Sequence, residues 1–403
     1  MKNHYLLLFI FVSAILCSCG SEEEGRISLN DAPPSKVSGI NSSSGPGEVY
    51  LTWKIPTDPS FMYTKIEYLS SKGELKYQLF SKDRAQEDGT IKATISGFAN
   101  TDPVKFSFYA CSVRGNNNGA VELEASPDTP AFAIVAETID LTPGYGGVNV
   151  SWENTSVAPV YIALNYHSKN DSGKAGSDKF KVNANSKGTR FVALSTDVAE
   201  YLSGEACVIN VTTEDEEENA SKVFPFEKTP LKINKIARNN WVFPGFLDAN
   251  DATIGYSSQE AGGEGAYPNG RVVALIDGDL GSFWHTAWKT ASAYPHFFII
   301  DMGEDANVSN FDLRRRTGNN GTHKGQIFYT CSDQGAVDKS NPDSWDWKEQ
   351  GTYTFDPTTD KTQMYALDSP ATARYIKVYF GTNHKGSSDF VMISEINVYS
   401  AGN

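Results

Sequence analysis

No stretch of this 403-residue chain is apolar for long enough to form a stable membrane span. The longest apolar run, Tyr5 to Leu16, follows Lys2 at the very start and is too short to cross a bilayer. Basic residues are also scarce. Lys and Arg number 35 against 49 Asp and Glu, for a formal net charge of -14, and no basic stripe offers a footprint for nucleic acid. The same balance disfavours anionic polysaccharide. Only five cysteines occur, with no CxxC and no Cys/His metal spacing. Two of them lie in the leader. Cys111, Cys207 and Cys331 are widely spaced among strand-forming residues and are expected to be buried free thiols. No glycine-rich phosphate loop, GxSxG or HExxH is present. No reaction is therefore predicted.

Aromatic residues and glycine are plentiful: 19 Tyr, 22 Phe, 7 Trp and 34 Gly. Aromatic alternating stretches separated by Gly/Asn turns predict an all-β protein. "EVYLTWKIP" places Val49, Leu51 and Trp53 on one face. The pattern returns in "GGVNVSWENT", with Val148, Val150 and Trp152, and the two tryptophans stand 99 positions apart. "YTKIEYLS" corresponds to "VYIALNYHS", and "FYACSVRGNNNG" to "ACVINVTTEDEEEN". The acidic run Glu214 to Glu218 falls where a turn belongs and is expected to be a solvated loop.

The leader ends in "LCSCG", which resembles a bacterial lipoprotein signal with Cys19 as the lipidated first residue of the mature chain. "GSEEEG" follows and resembles the surface-export signal of Bacteroidetes lipoproteins. The expected organisation is a signal peptide over 1–18 and an acidic tether over 19–30. Residues 31–130 resemble a fibronectin type III sandwich, carried by Trp53 and the strand "FYACSVRGN". Residues 131–229 form a second sandwich of that immunoglobulin-like type. "EKTPLKIN" near Pro230 reads as a hinge into a last domain over 230–403.

The last domain carries six motifs in order: "ALIDGDLGSFWHTAW", "YPHFFIIDMG", "FDLRRRTGNNG", "IFYTCSDQG", "ARYIKVYF" and "ISEINVY". Together they resemble the discoidin fold, the coagulation factor V/VIII type C domain. Within it they are similar to the galactose-binding-like carbohydrate-binding modules of family 32. The resemblance implies a jelly-roll β-sandwich with its ligand at loops on one end. It also implies a structural Ca²⁺ held by Asp277, Asp279, Ser282 and Glu395 with the carbonyl of Ala274; hard carboxylate and carbonyl oxygens suit that cation. An alternative for "DGD" is a turn that caps its own backbone.

Trp284 is expected in the core, and His285 and His296 are expected to be hydrogen-bonded fold residues. Trp288 falls in a polar loop, where an exposed ring can stack on the apolar face of a sugar; the alternative is a ring folded back onto the sandwich. Arg316, Asn319, Asn320 and His323 on one loop, and Asn383, His384 and Lys385 on another, are the expected hydroxyl-recognising partners. The implied protein is a non-enzymatic, lipid-anchored outer-membrane surface protein. It captures glycan beside outer-membrane glycan-import proteins and touches the membrane through its lipid alone. The alternative is an adhesion protein whose same loops bind a host or partner protein.

Overall fold

The computed structural model describes residues 31–196, 201–250, 254–289, 293–318, 325–356, 359–381 and 389–402. Cys19 and the acidic tether lie outside them, as do Asn319, Asn320, His323, Asn383, His384 and Lys385. The architecture is all-β. Among the described residues the one α-helix is the short Ala131–Ala136. Two compact units divide the chain. The first is built on residues 31–44, 49–95 and 102–126, the second on 45–48, 96–101 and 127–402.

In the first unit a three-stranded sheet (Ser38–Gly45, Glu48–Lys54, Thr90–Ser96) packs on a four-stranded one ordered Leu75–Ser81, Tyr63–Leu69, Val104–Cys111, Val121–Ala125. Val49, Leu51 and Trp53 all point inward, as period-two alternation requires. Trp53 is fully buried, edge-on to Phe80 and Phe108, and its indole N–H donates to the hydroxyl of Thr64 at 2.9 Å.

The second unit opens with another three-on-four sandwich. Asp140–Gly144, Gly147–Asn154 and Ser186–Ala193 form one sheet; Ala175–Val182, Val160–Ser168, Cys207–Glu214 and Phe224–Lys228 form the other. Its core holds Val148, Val150, Ile162, Leu164, Ile209 and Val211. Trp152 occupies the position equivalent to Trp53 yet is only half-buried against the rim of that core. The acidic run is a turn: Asp215 accepts the backbone N–H groups of Glu217 and Asn219. Cys111, Cys207 and Cys331 are buried and free.

The rest of the second unit is a larger sandwich made by two long bent strands, His296–Arg315 and Gln363–Phe380. Residues 296–301 pair with 375–380; past an irregularity at Asp301/Ala306, the strand pairs with the first half of Gln363–Phe380 and with Met392–Ala401. The sheet thus folds over itself, and Phe311 of the later half stacks on Phe328 at 4.1 Å. Phe298, Ile300, Leu313, Ile376, Val378 and Trp284 fill the same core.

The segment expected to be a hinge is instead pinned. Leu231 N–H donates to Gly144 O, its carbonyl accepts from Gly146 N–H, and Ile233–Lys235 pairs at once with residues 399–401. Gly146 has φ +72°, and a side chain there would press on Ile233 at 2.8 Å. Around this junction the fully buried Asp312 takes four hydrogen bonds. Oδ1 accepts from the backbone and side-chain N–H groups of Asn397. Oδ2 accepts from Tyr399 at 2.7 Å and from Tyr201, a residue of the preceding sandwich, at 3.2 Å. The rings of Tyr201 and Tyr399 meet edge-to-face. Asn310 donates to the carbonyl of Tyr145 at 2.9 Å.

Candidate functional site

Two features of the last sandwich concern function: the turn around Asp277 and the surface around Trp288.

The turn follows a short 3-10 helix, Val272–Ile276. Gly278 sits at φ +84°, which favours glycine. Asp277 Oδ1 accepts from Asp279 N–H at 2.8 Å, and Asp279 Oδ1 accepts from Gly281 N–H at 2.8 Å. Ser282 Oγ donates to Asp277 Oδ2 at 2.7 Å. These are turn-capping bonds. Glu395 lies near Asp277, whose charge adds to the effect of burial in pushing the Glu395 carboxyl up to about 7. Its Oε1 is paired with the guanidinium of Arg238, while Oε2 is buried with no hydrogen-bond partner among the described residues. Ala274 is buried in the preceding helix. Among the described residues no group of three or more His, Cys, Asp or Glu side chains is arranged so that it could hold a metal ion. The donor types and the orphaned Glu395 oxygen nonetheless suit a hard divalent cation.

The surface around Trp288 is assembled from four segments. The strand Trp284–His285 pairs with Ile393 and Met392 and delivers residues 286–289 to one end of the sandwich. Trp284 is wholly buried, donating to Ser258 O at 2.9 Å. Glu260, also buried, holds the next turn: its Oε2 accepts the backbone N–H groups of Trp288 and Lys289 at 3.2 and 3.3 Å. Close approach requires glycine here. A Cβ on Gly263 would stand 2.8 Å from the Trp288 ring, and one on Gly270, at φ +79°, would stand 2.0 Å from Glu260 O.

Trp288 is 38% exposed. Its indole N–H donates to Glu264 Oε1 at 2.8 Å, which fixes the ring's tilt. The other Glu264 oxygen lies 3.4 Å from Arg316 Nη1. Arg316 in turn stacks on Phe283, with its guanidinium carbon 3.8 Å from the ring centre. His285 Nε2 is 3.8 Å from Glu264 Oε1. The His285 ring packs against Phe390, and its Nδ1 lies 2.6 Å from the Thr286 carbonyl. Since a carbonyl only accepts, Nδ1 carries the hydrogen. Burial, reinforced by Arg316, holds the imidazole below its usual pKa. His285 is thus neutral at neutral pH, with a lone pair on Nε2 beside Glu264 and Arg316.

Of the residues singled out from sequence, Trp288 and Arg316 are therefore brought together, through Glu264. Glu264, Glu260 and Phe390 were not anticipated. His285 makes the expected fold-type bond through Nδ1 yet turns its other nitrogen to this surface. His296 is buried, with Nε2 2.6 Å from Asp389 O and Nδ1 3.3 Å from the Ser257 hydroxyl, and holds the strand end below. Arg315 is buried, donating to Thr359 O and stacked by Phe355, away from Trp288's partners. The remaining expected partners, Asn319, Asn320, His323, Asn383 and His384, lie outside the described residues.

Comparison with known proteins adds a family for this region. Residues 253–396 match the F5/8 type C domain. A sialidase from Micromonospora viridifaciens is 27% identical over 157 residues, which is 38% of this chain and 22% of that enzyme. The chain thus spans about a fifth of the length of this curated relative. Among solved structures, the C-terminal domain of a chitobiase from Bacteroides fragilis is 26% identical, with a TM-score of 0.34, over 42% of this chain and 100% of that one. A family 32 carbohydrate-binding module from C. perfringens, solved with galactose, is 21% identical (TM-score 0.32) over 42% and 99%. A SusE-like protein is 19% identical (TM-score 0.33) over 68% and 99%.

Proposed function

We propose that this chain binds carbohydrate through the Trp288 end of its F5/8 type C domain and serves in glycan capture at the cell surface. The observation that carries the reading is the arrangement around Glu264. One carboxylate holds an exposed indole at a fixed tilt and stands beside a guanidinium and a neutral imidazole. A ring face offers stacking to the C–H face of a pyranose. Arg316 donates and His285 Nε2 accepts, so a single sugar hydroxyl can be engaged from both sides. Because Arg316 balances Glu264, the surface suits a neutral sugar. Binding of this kind needs no reaction, and none is assigned.

Cys19 as a lipid anchor and the acidic tether as an export signal would place the domain outside the outer membrane, within reach of glycan-import partners. A structural Ca²⁺ at Asp277, Asp279, Ser282, Glu395 and the Ala274 carbonyl would give the orphaned Glu395 oxygen its partner and hold the turn that leads into Trp284–His285.

The deciding experiment is affinity electrophoresis of the full chain through gels containing galactan or other neutral polysaccharides, beside a glycan array. Retardation that disappears in Trp288→Ala supports the reading. A chain that binds no glycan on either format overturns it and moves the adhesion role forward.

A further inference from the structure

The first unit carries a different surface. Its strand Leu75–Ser81 is an edge: among the described residues it pairs with Tyr63–Leu69 on one side and with no strand on the other. On the outer face of that edge stand Leu69, Leu75, Tyr77 and Leu79, which are 57%, 66%, 63% and 54% exposed. Register makes them contiguous, since Leu69 is opposite Leu75, and Tyr77 and Leu79 follow at period two. Natural edges are usually blunted with charge, proline or a bulge. This one has no proline or bulge, and its single charge, Lys76, falls on the opposite face. Three large apolar side chains on one free edge strand, with Leu69 beside them on its neighbour, mark an interaction surface.

We infer that this edge pairs with the same edge of a second copy of the chain, antiparallel about a twofold axis through Gln78. Backbone parity supports it. Lys82 N–H donates to Met62 O, and Ser70 N–H donates to Glu74 O, so even-numbered residues of the strand face Tyr63–Leu69. The N–H and C=O groups of Leu75, Tyr77, Leu79 and Ser81 therefore point to the free edge. A twofold at Gln78 sets Tyr77 against Leu79 and Leu75 against Ser81, odd against odd, as hydrogen bonding demands. Charge agrees as well. The same axis sets Glu74 of one copy, already paired with its own Lys76 at 2.7 Å, opposite Lys82 of the other, twice over. The Lys82 ammonium touches only Met62 sulfur at 3.5 Å and has no carboxylate partner among the described residues. The pairing stops where it should. A turn closed by Ser70 and Glu74 ends the strand on one side, and the 3-10 helix Lys82–Arg84 ends it on the other. The interface is self-complementary, as a twofold contact must be.

The test is a disulfide trap in the full chain. The pair Gln78–Gln78 is of the narrow, non-hydrogen-bonded kind, about 4.5 Å between Cα atoms, within reach of a disulfide. Gln78→Cys should oxidise to a covalent dimer on a non-reducing gel and revert with reductant. Lys105→Cys, exposed on the strand Val104–Cys111, should stay monomeric. Adding Tyr77→Lys to Gln78→Cys should cut the dimer yield at least tenfold, and sedimentation of the otherwise unmodified chain should show dimer weakened by Tyr77→Lys. A monomeric Gln78→Cys protein, or equal cross-linking of Lys105→Cys, overturns the inference.

Discussion

The indole N–H of Trp288 donates to Glu264 at 2.8 Å, and the other oxygen of the same carboxylate lies 3.4 Å from Arg316. The ring is thereby held at a fixed tilt, 38% exposed, with the Lys289 ammonium 5.5 Å from its centre. Trp288→Ala should abolish retardation in a polysaccharide gel, a loss of about 1–3 kcal/mol that weak sugar binding cannot absorb. The melting temperature should barely move. Trp284→Ala is the contrast, because that ring is fully buried. It should destabilise the domain by roughly 3–5 kcal/mol. A Trp288→Ala protein that unfolds would show the ring to be core.

Glu264→Gln keeps an acceptor for the indole but removes the charge that Arg316 faces. Glu264→Ala removes both. Binding should fall in the order wild type, Gln, Ala, with the Ala variant at least tenfold weaker. Tryptophan fluorescence should shift in the Ala variant as the ring loses its anchor. Equal binding by all three would mean that Glu264 does not position the site.

Burial holds both His285 and His296 below the ordinary imidazole pKa. An unfolded histidine takes up its proton near pH 6.5, whereas the folded ones resist it. Below that pH the unfolded state binds more protons, so stability is full above it and declines as pH falls toward the folded pKa values. Glu395, whose carboxyl is raised to about 7, contributes in the opposite direction over this range, so the readout is a comparison: from pH 7.5 to 5 the wild type should lose more stability than His285→Gln. Sugar binding should fade over the same window, because protonated His285 loses its acceptor at Nε2. Wild type and His285→Gln proteins whose melting temperatures change in parallel over this range would contradict the assignment.

The orphaned oxygen of Glu395 gives the calcium proposal a direct readout. Chelation should lower the melting temperature of the full chain and added Ca²⁺ should restore it, by several kcal/mol at roughly a thousandfold excess over the dissociation constant. Asp277→Ala should remove the response. Identical melting with verified metal removal would show that the turn is capped by its own backbone alone.

For the anchor, Cys19→Ala should release the protein from membranes and stop incorporation of labelled palmitate, while Cys17→Ala should not. Continued labelling of the Cys19 variant would locate the lipid elsewhere.

The sandwich strands could be read from the sequence because period-two alternation is a local property. Trp53 with its flanking Val49 and Leu51 marks a strand in any context, and the repeat at Trp152 doubles the signal. What the repeat did not carry was depth: how far a ring is covered depends on strands distant in sequence, and Trp152 is left at the rim. In the candidate site, Trp288 was singled out from a polar loop beyond the motif and Arg316 from the family resemblance of its loop, and the structure brings the two together through Glu264. Glu264 itself was not legible, since it sits in a glycine-rich stretch without periodicity and meets Trp288 only after the chain has turned back. The supposed hinge at Pro230 was misread for a related reason. Its polar, Pro-containing composition looks like a linker, but Leu231 is hydrogen-bonded to a hairpin more than 80 residues earlier.

The buried bond between Tyr201 and Asp312 bears on how the protein can be cut. A fragment beginning near residue 231 would strip one donor from a fully buried carboxylate, open Asp312 to water, and take the carbonyl of Tyr145 away from Asn310. Such a piece would melt early and unevenly, and weak binding by it would say little about the intact chain. A fragment that starts at residue 127, where the main segment of the second unit begins, keeps these contacts. The same joinery has a mechanical side. A load applied by a glycan at Trp288 would pass into the preceding sandwich through a clamped joint rather than a swivel, so captured sugar would be held at a set bearing.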